Sequence, residues 1–399
     1  MMDYFDFETI ADAADVDLGT PYNPFVTNMS GAQLHFKTAP CVIDALVSRA
    51  ASGLYGWTRS DVPQYLEAVS YWMSAFRNWK IETEWIVPSY GILQAMCAAI
   101  RAFTREGDGI IIQPPVYVLY DRIIKRTGRK KVTNPLIYCN GKYAMDFENL
   151  ESLMSRPENK LMLLCNPHNP IMSVWEEADL VRVAALARKY GVLIVSDEIF
   201  AEHAFNGSRA IPFSQIEGAK ELAIVCTSIG KSFNFTGFGH ANIIIPDEKI
   251  REKYIYQRDA DHYGSINPFI YTAVLAAYTP EGMDWIKALI GFVEENIRYT
   301  RAFISRYFPM VTVCEHKAGT LLWMDFRALG LSEDVLYSFL KDEAGILVDR
   351  GSEYGAEGTG FIRMQLGIPR RELEEALERL LDAGVKRGLV SLTPQNAFK

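Results

Sequence analysis

The sequence predicts an α/β fold with a mostly parallel sheet between helices, joined to a smaller α+β domain, on three observations. Short β-branched runs alternate with helical patterns through the middle of the chain, which is how a sheet built from successive strand, helix and strand units reads. After about Asp284 the texture changes to a long amphipathic stretch followed by strands and helices in mixed order. At 399 residues the chain also exceeds the size at which one hydrophobic core normally stops growing, so two domains are expected.

In chain order, strands are expected at 109–113, 160–165, 192–196, 223–227 and 241–245. Each lies in a nearly unbroken apolar run (GIIIQ, KLMLLC, VLIVS, AIVCT, ANIII), as burial on both faces requires. Helices are expected at 91–105, 116–126, 176–189 and from Lys231 or just after it. The later part holds a long helix at 285–307, a strand in GTLLWMDF, a helix from Ser332, a strand in FIRMQLGI and a last helix from Arg370. The division that follows is a large domain at 41–284 and a small one built from 1–40 and 285–399, with the long helix as connector. No internal repeat or Pro/Gly-rich linker interrupts it.

Composition narrows the function. Apolar residues make up 49% and charged residues 23%, which is ordinary globular usage. The formal charge is -8 with the acids spread along the chain, so no basic stripe exists to meet a phosphate backbone, and nucleic acid is not an expected partner. The six cysteines lie far apart without CxxC spacing, most of them in apolar runs; they read as buried reduced thiols, with no disulfide framework and no metal site. The start, MMDYFDFETIADAADVD, is acidic where a secretory signal needs a basic segment, and no apolar run reaches membrane-spanning length. A cytoplasmic enzyme without a membrane partner is expected.

Several residues can carry chemistry. VLIVSDEIF sets Asp197 at the carboxyl end of a buried parallel strand, where open α/β sheets bind ligands; a loop or cap acid is the plainer alternative. TSIGKSFNF sets Lys231 just past the next strand, where burial can suppress the charge of an amine and make it a nucleophile, although a lone lysine beside Ser and Gly is more often surface. In CNPHNP two prolines stiffen a turn that aims Asn169 across the same edge, placed to donate to a phenolate oxygen, unless it is a simple Asx-Pro turn. Tyr117 in QPPVYVLY can lie flat on a planar cofactor or be an ordinary core tyrosine. Gly91 opens a helix, so the amides of Ile92 and Leu93 suit a phosphate, though an ordinary helix start explains the glycine equally well. Arg363, among apolar neighbours in FIRMQLG, needs a carboxylate, supplied by a substrate or by a structural salt bridge.

NPHNP, SDEIF, TSIGKSFN and FIRMQLG, in that order, resemble the fold-type I enzymes that use pyridoxal 5'-phosphate (PLP), the aspartate aminotransferase superfamily. FKTAPCVIDAL, LYGWTR, LMLLCNPHNP, VWEEADL, GVLIVSDEI, GKSFN and EYGAEGTGFIRMQLGIPR are closer to the MalY/PatB-type cystathionine β-lyases, a carbon-sulfur lyase group, and the likeness runs from about residue 30 to 385. The resemblance implies a seven-stranded, mostly parallel sheet in the large domain, PLP as cofactor and an amino acid as substrate. It implies that Lys231 carries the cofactor as a Schiff base and removes the substrate α-proton. Asp197 would pair with the pyridinium nitrogen, Asn169 would bond the ring's O3′, Tyr117 would stack on the ring and Arg363 would clamp the α-carboxylate. Ser228, three before the lysine, would bind phosphate with the amides of Gly91, Ile92 and Leu93. A homodimer with shared active sites is implied too, in which Trp57 approaches the neighbouring subunit's phosphate.

Some positions depart from the group's pattern. Phe200 stands where aminotransferases have Tyr and these lyases His, and it cannot donate to O3′. Trp57 replaces a Tyr, and Gln33 and His35 in AQLHF replace two acids near the substrate. Gly239, followed by His240, stands where many aminotransferases have a phosphate-binding arginine. The expected outcome of proton removal is β-elimination of a thiol from cystathionine or another S-substituted cysteine, giving pyruvate and ammonia; transamination is the alternative. A specialised biosynthetic enzyme on an unusual amino acid is a variant of either. A regulatory homologue without turnover is the reading from another class, opposed by the intact Lys231, Asp197, Asn169 and Arg363.

Overall fold

The computed structural model describes residues 5–8, 25–59, 61–205 and 207–390. The ends of the expected small domain, 1–4, 9–24 and 391–399, lie outside the described residues.

Seven strands form the central sheet, in the spatial order Ile86–Ser89, Ala241–Ile244, Ala223–Thr227, Leu193–Asp197, Asn159–Cys165, Gly109–Ile112 and Lys130–Thr133. Six run in the same direction; Ala241–Ile244 is antiparallel to both of its neighbours. Alternate residues of the strands other than the edge strand Lys130–Thr133 enter different cores, following the period of two along a strand. Ile111, Met162, Leu164, Ile194, Val225 and Ile244 join the larger core on one face. Ile110, Leu161, Leu163, Val195, Ile224 and Ile243 join the other, beneath the helix Ile92–Phe103 and Tyr254 of the helix Glu248–Ala260. Burial on both faces is why these strands read as continuous apolar runs.

A second sheet, of four strands, has the order Thr312–Val313, Leu321–Asp325, Phe361–Gln365 and Asp349–Arg350, all antiparallel. The chain's early segment joins this part: Thr27–Asn28 pairs in parallel with Ile346–Leu347, and the Gln365 amide donates to the Met29 carbonyl.

Three expectations need correction. The helix at Lys231 is a single turn, Ile229–Ser232, because Asn234 takes a left-handed φ of +55° that ends it. The long helix starts earlier than Trp285: it spans Pro280–Tyr307, with Thr279 capping the amide of Gly282 and Pro280 in the first turn, where its missing N–H costs nothing. The cysteines are all free, but Cys139 is exposed, since it ends a strand of the surface hairpin Ile137–Cys139 and Lys142–Ala144. Among the described residues no helix is long and apolar enough to cross a membrane, and no group of His, Cys, Asp and Glu could hold a metal ion.

Candidate active site

Parallel strands bring their carboxyl ends to one edge of the sheet, and the expected residues gather there. Asp197 is the last residue of Leu193–Asp197 and is buried. Its Oδ2 accepts the Tyr120 hydroxyl at 2.8 Å and its Oδ1 accepts the Ile199 amide at 3.2 Å. Burial outweighs these bonds and raises its pKa to about 6. Glu198, next in sequence, faces a different cluster, where it accepts Arg77 Nη2 at 2.7 Å. The pair of acids in SDE is thus divided between the site and the scaffold.

Lys231 follows the neighbouring strand, and its Nζ donates to the Ala32 carbonyl at 2.9 Å. Burial is the main reason its pKa falls to about 8; the Arg363 charge lowers it further, while Asp197 opposes the fall. Each of Asp197 and Lys231 therefore senses the other's charge inside a desolvated site.

Arg363 sits in Phe361–Gln365 directly opposite Asp349 in the antiparallel register. Its Nε and Nη2 donate to Asp349 Oδ2 at 2.8 and 2.6 Å, and its Nη1 donates to Asn169 Oδ1 at 3.0 Å. Tyr354 lies against the guanidinium, 4.8 Å from ring centroid to Cζ. The structural salt bridge is therefore present, yet it occupies one side of the fork and leaves hydrogens of Nη1 and Nη2 for a second carboxylate. Accepting on Oδ1 also turns the amide hydrogens of Asn169 away from the guanidinium.

The other expected residues are placed as follows. Tyr117 is half-buried, edge-on to Tyr120 with 6.0 Å between ring centroids. Gly91 caps Ile92–Phe103, and a Cβ built there would meet only the His240 nitrogen, at 4.0 Å, so the space in front of the Ile92 and Leu93 amides is open on that side. The Ser228 hydroxyl donates to the His240 carbonyl at 2.7 Å. Phe200 is buried with Met172, Leu321, Ala32 and Ile199. Trp57 is 96% exposed and lines a cleft of about 510 Å³ with Arg258 and Ser265, away from Lys231.

The AQLHF segment approaches Lys231 differently from expectation. Ala32 meets the lysine, whereas the Gln33 side chain is exposed and His35 Nδ1 is spent on Glu372 Oε2 at 3.3 Å. Asn234, three past the lysine, holds the segment by accepting from the Leu34 amide at 3.1 Å and donating to the carbonyls of Leu34 and Phe36. Sequence reasoning missed Tyr120, Asp349, Ala32 and Asn234. Only Tyr120 had a local signal, one helical turn beyond Tyr117; Asp349 needed the strand register.

These residues fit the PLP that the sequence resemblance implies. A buried amine of lowered pKa and a buried carboxylate of raised pKa are left with few partners in one desolvated site, which suits an aldehyde on one side of a ring and a pyridinium on the other.

Comparison with known proteins agrees with this geometry. The family described as aminotransferase class I and II matches residues 26–380. Cystathionine beta-lyase PatB of Bacillus subtilis (strain 168) is 34% identical over 350 residues, 88% of this chain and 90% of the relative. Protein MalY of Escherichia coli (strain K12) is 30% identical over 88% of this chain and 90% of its own length. Among solved structures, cystalysin from Treponema denticola, which contains a pyridoxal 5'-phosphate cofactor, superposes with a TM-score of 0.91 at 31% identity, covering 96% of this chain and 99% of its own. A PLP-bound putative aminotransferase from Clostridium difficile 630 gives 0.90 at 32% identity, covering 95% and 99%. On the extent of these matches, the chain belongs to the class I and II aminotransferase family.

Proposed function

We propose that this chain is a PLP-dependent carbon-sulfur β-lyase that converts cystathionine or another S-substituted cysteine, with one water, to pyruvate, ammonia and a thiol. The observation that carries the reading is the buried Lys231 and Asp197 pair, in a chain 34% identical to a cystathionine β-lyase.

Bound in this site, the cofactor supplies an electron-accepting ring that makes the substrate's Cα proton acidic. Lys231, its pKa lowered to about 8, has its neutral amine within reach near neutral pH, so Nζ would take the Cα proton. The same Nζ then holds a proton for the departing sulfur. Asp197 would stay anionic against a cationic ring nitrogen, which would offset the desolvation penalty it bears alone. Tyr120 and the Ile199 amide keep its carboxylate oriented. Arg363, steadied by Asp349 and Asn169, receives the α-carboxylate on its remaining hydrogens. Asn169 would donate to the ring's O3′, Tyr117 would cover the ring, and Ser228 with the amides of Gly91, Ile92 and Leu93 would hold the phosphate. Phe200 would contribute only an apolar wall, and Gln33, exposed, and His35, engaged by Glu372, are not assigned to the substrate.

We further infer a homodimer, because Trp57 is exposed beside exposed Leu54 and Tyr55 in the segment that the resemblance sends to a neighbouring subunit. A cytoplasmic setting suits six free thiols. The division at 41–284, with 1–40 and 285–399 forming the small domain, is proposed on the two separate sheets.

The test is incubation of the PLP-loaded protein with cystathionine and no keto acid. Pyruvate and free thiol in equal amounts are expected; accumulation of the pyridoxamine form without thiol would instead make the protein an aminotransferase.

A further inference from the structure

Beside the assigned phosphate site lies a buried hydrogen-bond chain that the mechanism does not use. Tyr65, in the helix Pro63–Ala75, is fully buried, with its hydroxyl 2.9 Å from His240 Nε2 and 2.9 Å from Asn242 Oδ1. At the far side of the imidazole, Nδ1 faces the Ile229 amide and the Ser228 hydroxyl, each at 3.4 Å.

Both ends of this chain impose the same order of protons. The Ile229 N–H can only donate, so Nδ1 accepts and the single imidazole proton sits on Nε2. Nε2 donates to the phenol oxygen, and the phenol gives its own proton to Asn242 Oδ1, which can only accept. Burial keeps the ring from taking a second proton, lowering its pKa to about 3.

His240 also lies between the two segments assigned to phosphate. Its carbonyl takes the Ser228 hydroxyl, and its backbone nitrogen is the nearest neighbour of a Cβ placed on Gly91. At Gly239 the φ is +63°, and a Cβ would come within 2.7 Å of the Tyr90 carbonyl, so no side chain and hence no cation can enter from that position.

We propose that Tyr65 and His240 are positioning residues for the cofactor's phosphate. The phenol fixes His240 as a neutral acceptor at Nδ1, and that acceptor takes the Ile229 N–H while the His240 carbonyl takes the Ser228 hydroxyl, so the turn is held against the Gly91 wall, serving where a cation from position 239 cannot. The inference rests on the assignment of Ser228 and the Gly91, Ile92 and Leu93 amides to phosphate.

The experiment titrates the apoprotein with PLP and with pyridoxal, which lacks the phosphate, following the change in protein fluorescence. Tyr65→Phe and His240→Leu are expected to weaken PLP about tenfold, the worth of one or two neutral hydrogen bonds, and to leave pyridoxal within about twofold. His240→Asn, whose amide oxygen can stand where Nδ1 does, should recover most of the PLP affinity. Equal losses for both ligands, unchanged PLP affinity, or His240→Asn as weak as His240→Leu would overturn the proposal. If His240→Leu does not fold, Tyr65→Phe against His240→Asn decides it by the same ratio. Ser228→Ala separates the layers: if it leaves the PLP to pyridoxal ratio unchanged, the phosphate assignment itself fails. If it lowers that ratio while Tyr65→Phe and His240→Leu do not, only the positioning role is lost.

Discussion

Replacing Asp197 with Asn should stabilise the apoprotein while weakening its hold on PLP. In the folded chain the carboxyl pKa rises from 3.8 to about 6, chiefly through burial. A raised folded pKa means that the group's favourable contribution is present at low pH and lost as pH climbs from about 4 through about 6. The shift is about two units at 1.36 kcal/mol each, so the ionised carboxylate costs the apo fold about 3 kcal/mol at pH 7.5, and about 0.6 kcal/mol at pH 4. Asparagine keeps the shape and never ionises; its one oxygen still accepts the Tyr120 hydroxyl but not the Ile199 amide as well, a loss that does not vary with pH. Urea unfolding of the apo wild type and Asp197→Asn at pH 4 and pH 7.5 measures this directly. The stability difference should move in the variant's favour by about 2 kcal/mol between the two pH values. A difference that is flat, or that moves the other way, would show that the carboxylate is not held at a cost, and the pyridinium partner would lose its physical motive.

Two further outcomes follow from the same site. Borohydride treatment of the PLP-loaded wild type should fix the cofactor covalently to the peptide containing Lys231. Lys231→Ala should retain no reducible adduct and lose turnover by about a thousandfold or more, read by mass spectrometry and pyruvate release. Arg363→Lys keeps the charge but cannot satisfy Asp349, Asn169 and a substrate carboxylate together, so KM should rise about tenfold with kcat changed far less; steady-state kinetics would contradict this if only kcat fell.

Much of the scaffold was legible because the sheet is buried on both faces, which leaves strands such as LMLLC and LIVSD with no polar alternation. That signal located Asp197 and Lys231 at strand ends and made the order of motifs recognisable. The true start of the long helix was legible too, in the Thr279 and Pro280 pair, but the amphipathic pattern drew the expected start to Trp285. The pattern around Lys231 suggests a helix but does not say where it ends; Asn234 ends it by turning left-handed to hold the 33–36 segment.

By itself, the sequence determined the fold class, the family and the two titrating groups at the centre of the site, since each depends on local pattern or on motifs contiguous in the chain. Only the tertiary structure decided their partners: Tyr120 on Asp197, Asp349 and Asn169 on Arg363, Ala32 on Lys231, and Tyr65 on His240. The physical reason is that periodicity reports which face an element buries. A hydrogen bond between side chains brought together from distant parts of the chain depends on register and packing, and leaves no periodic mark in either segment.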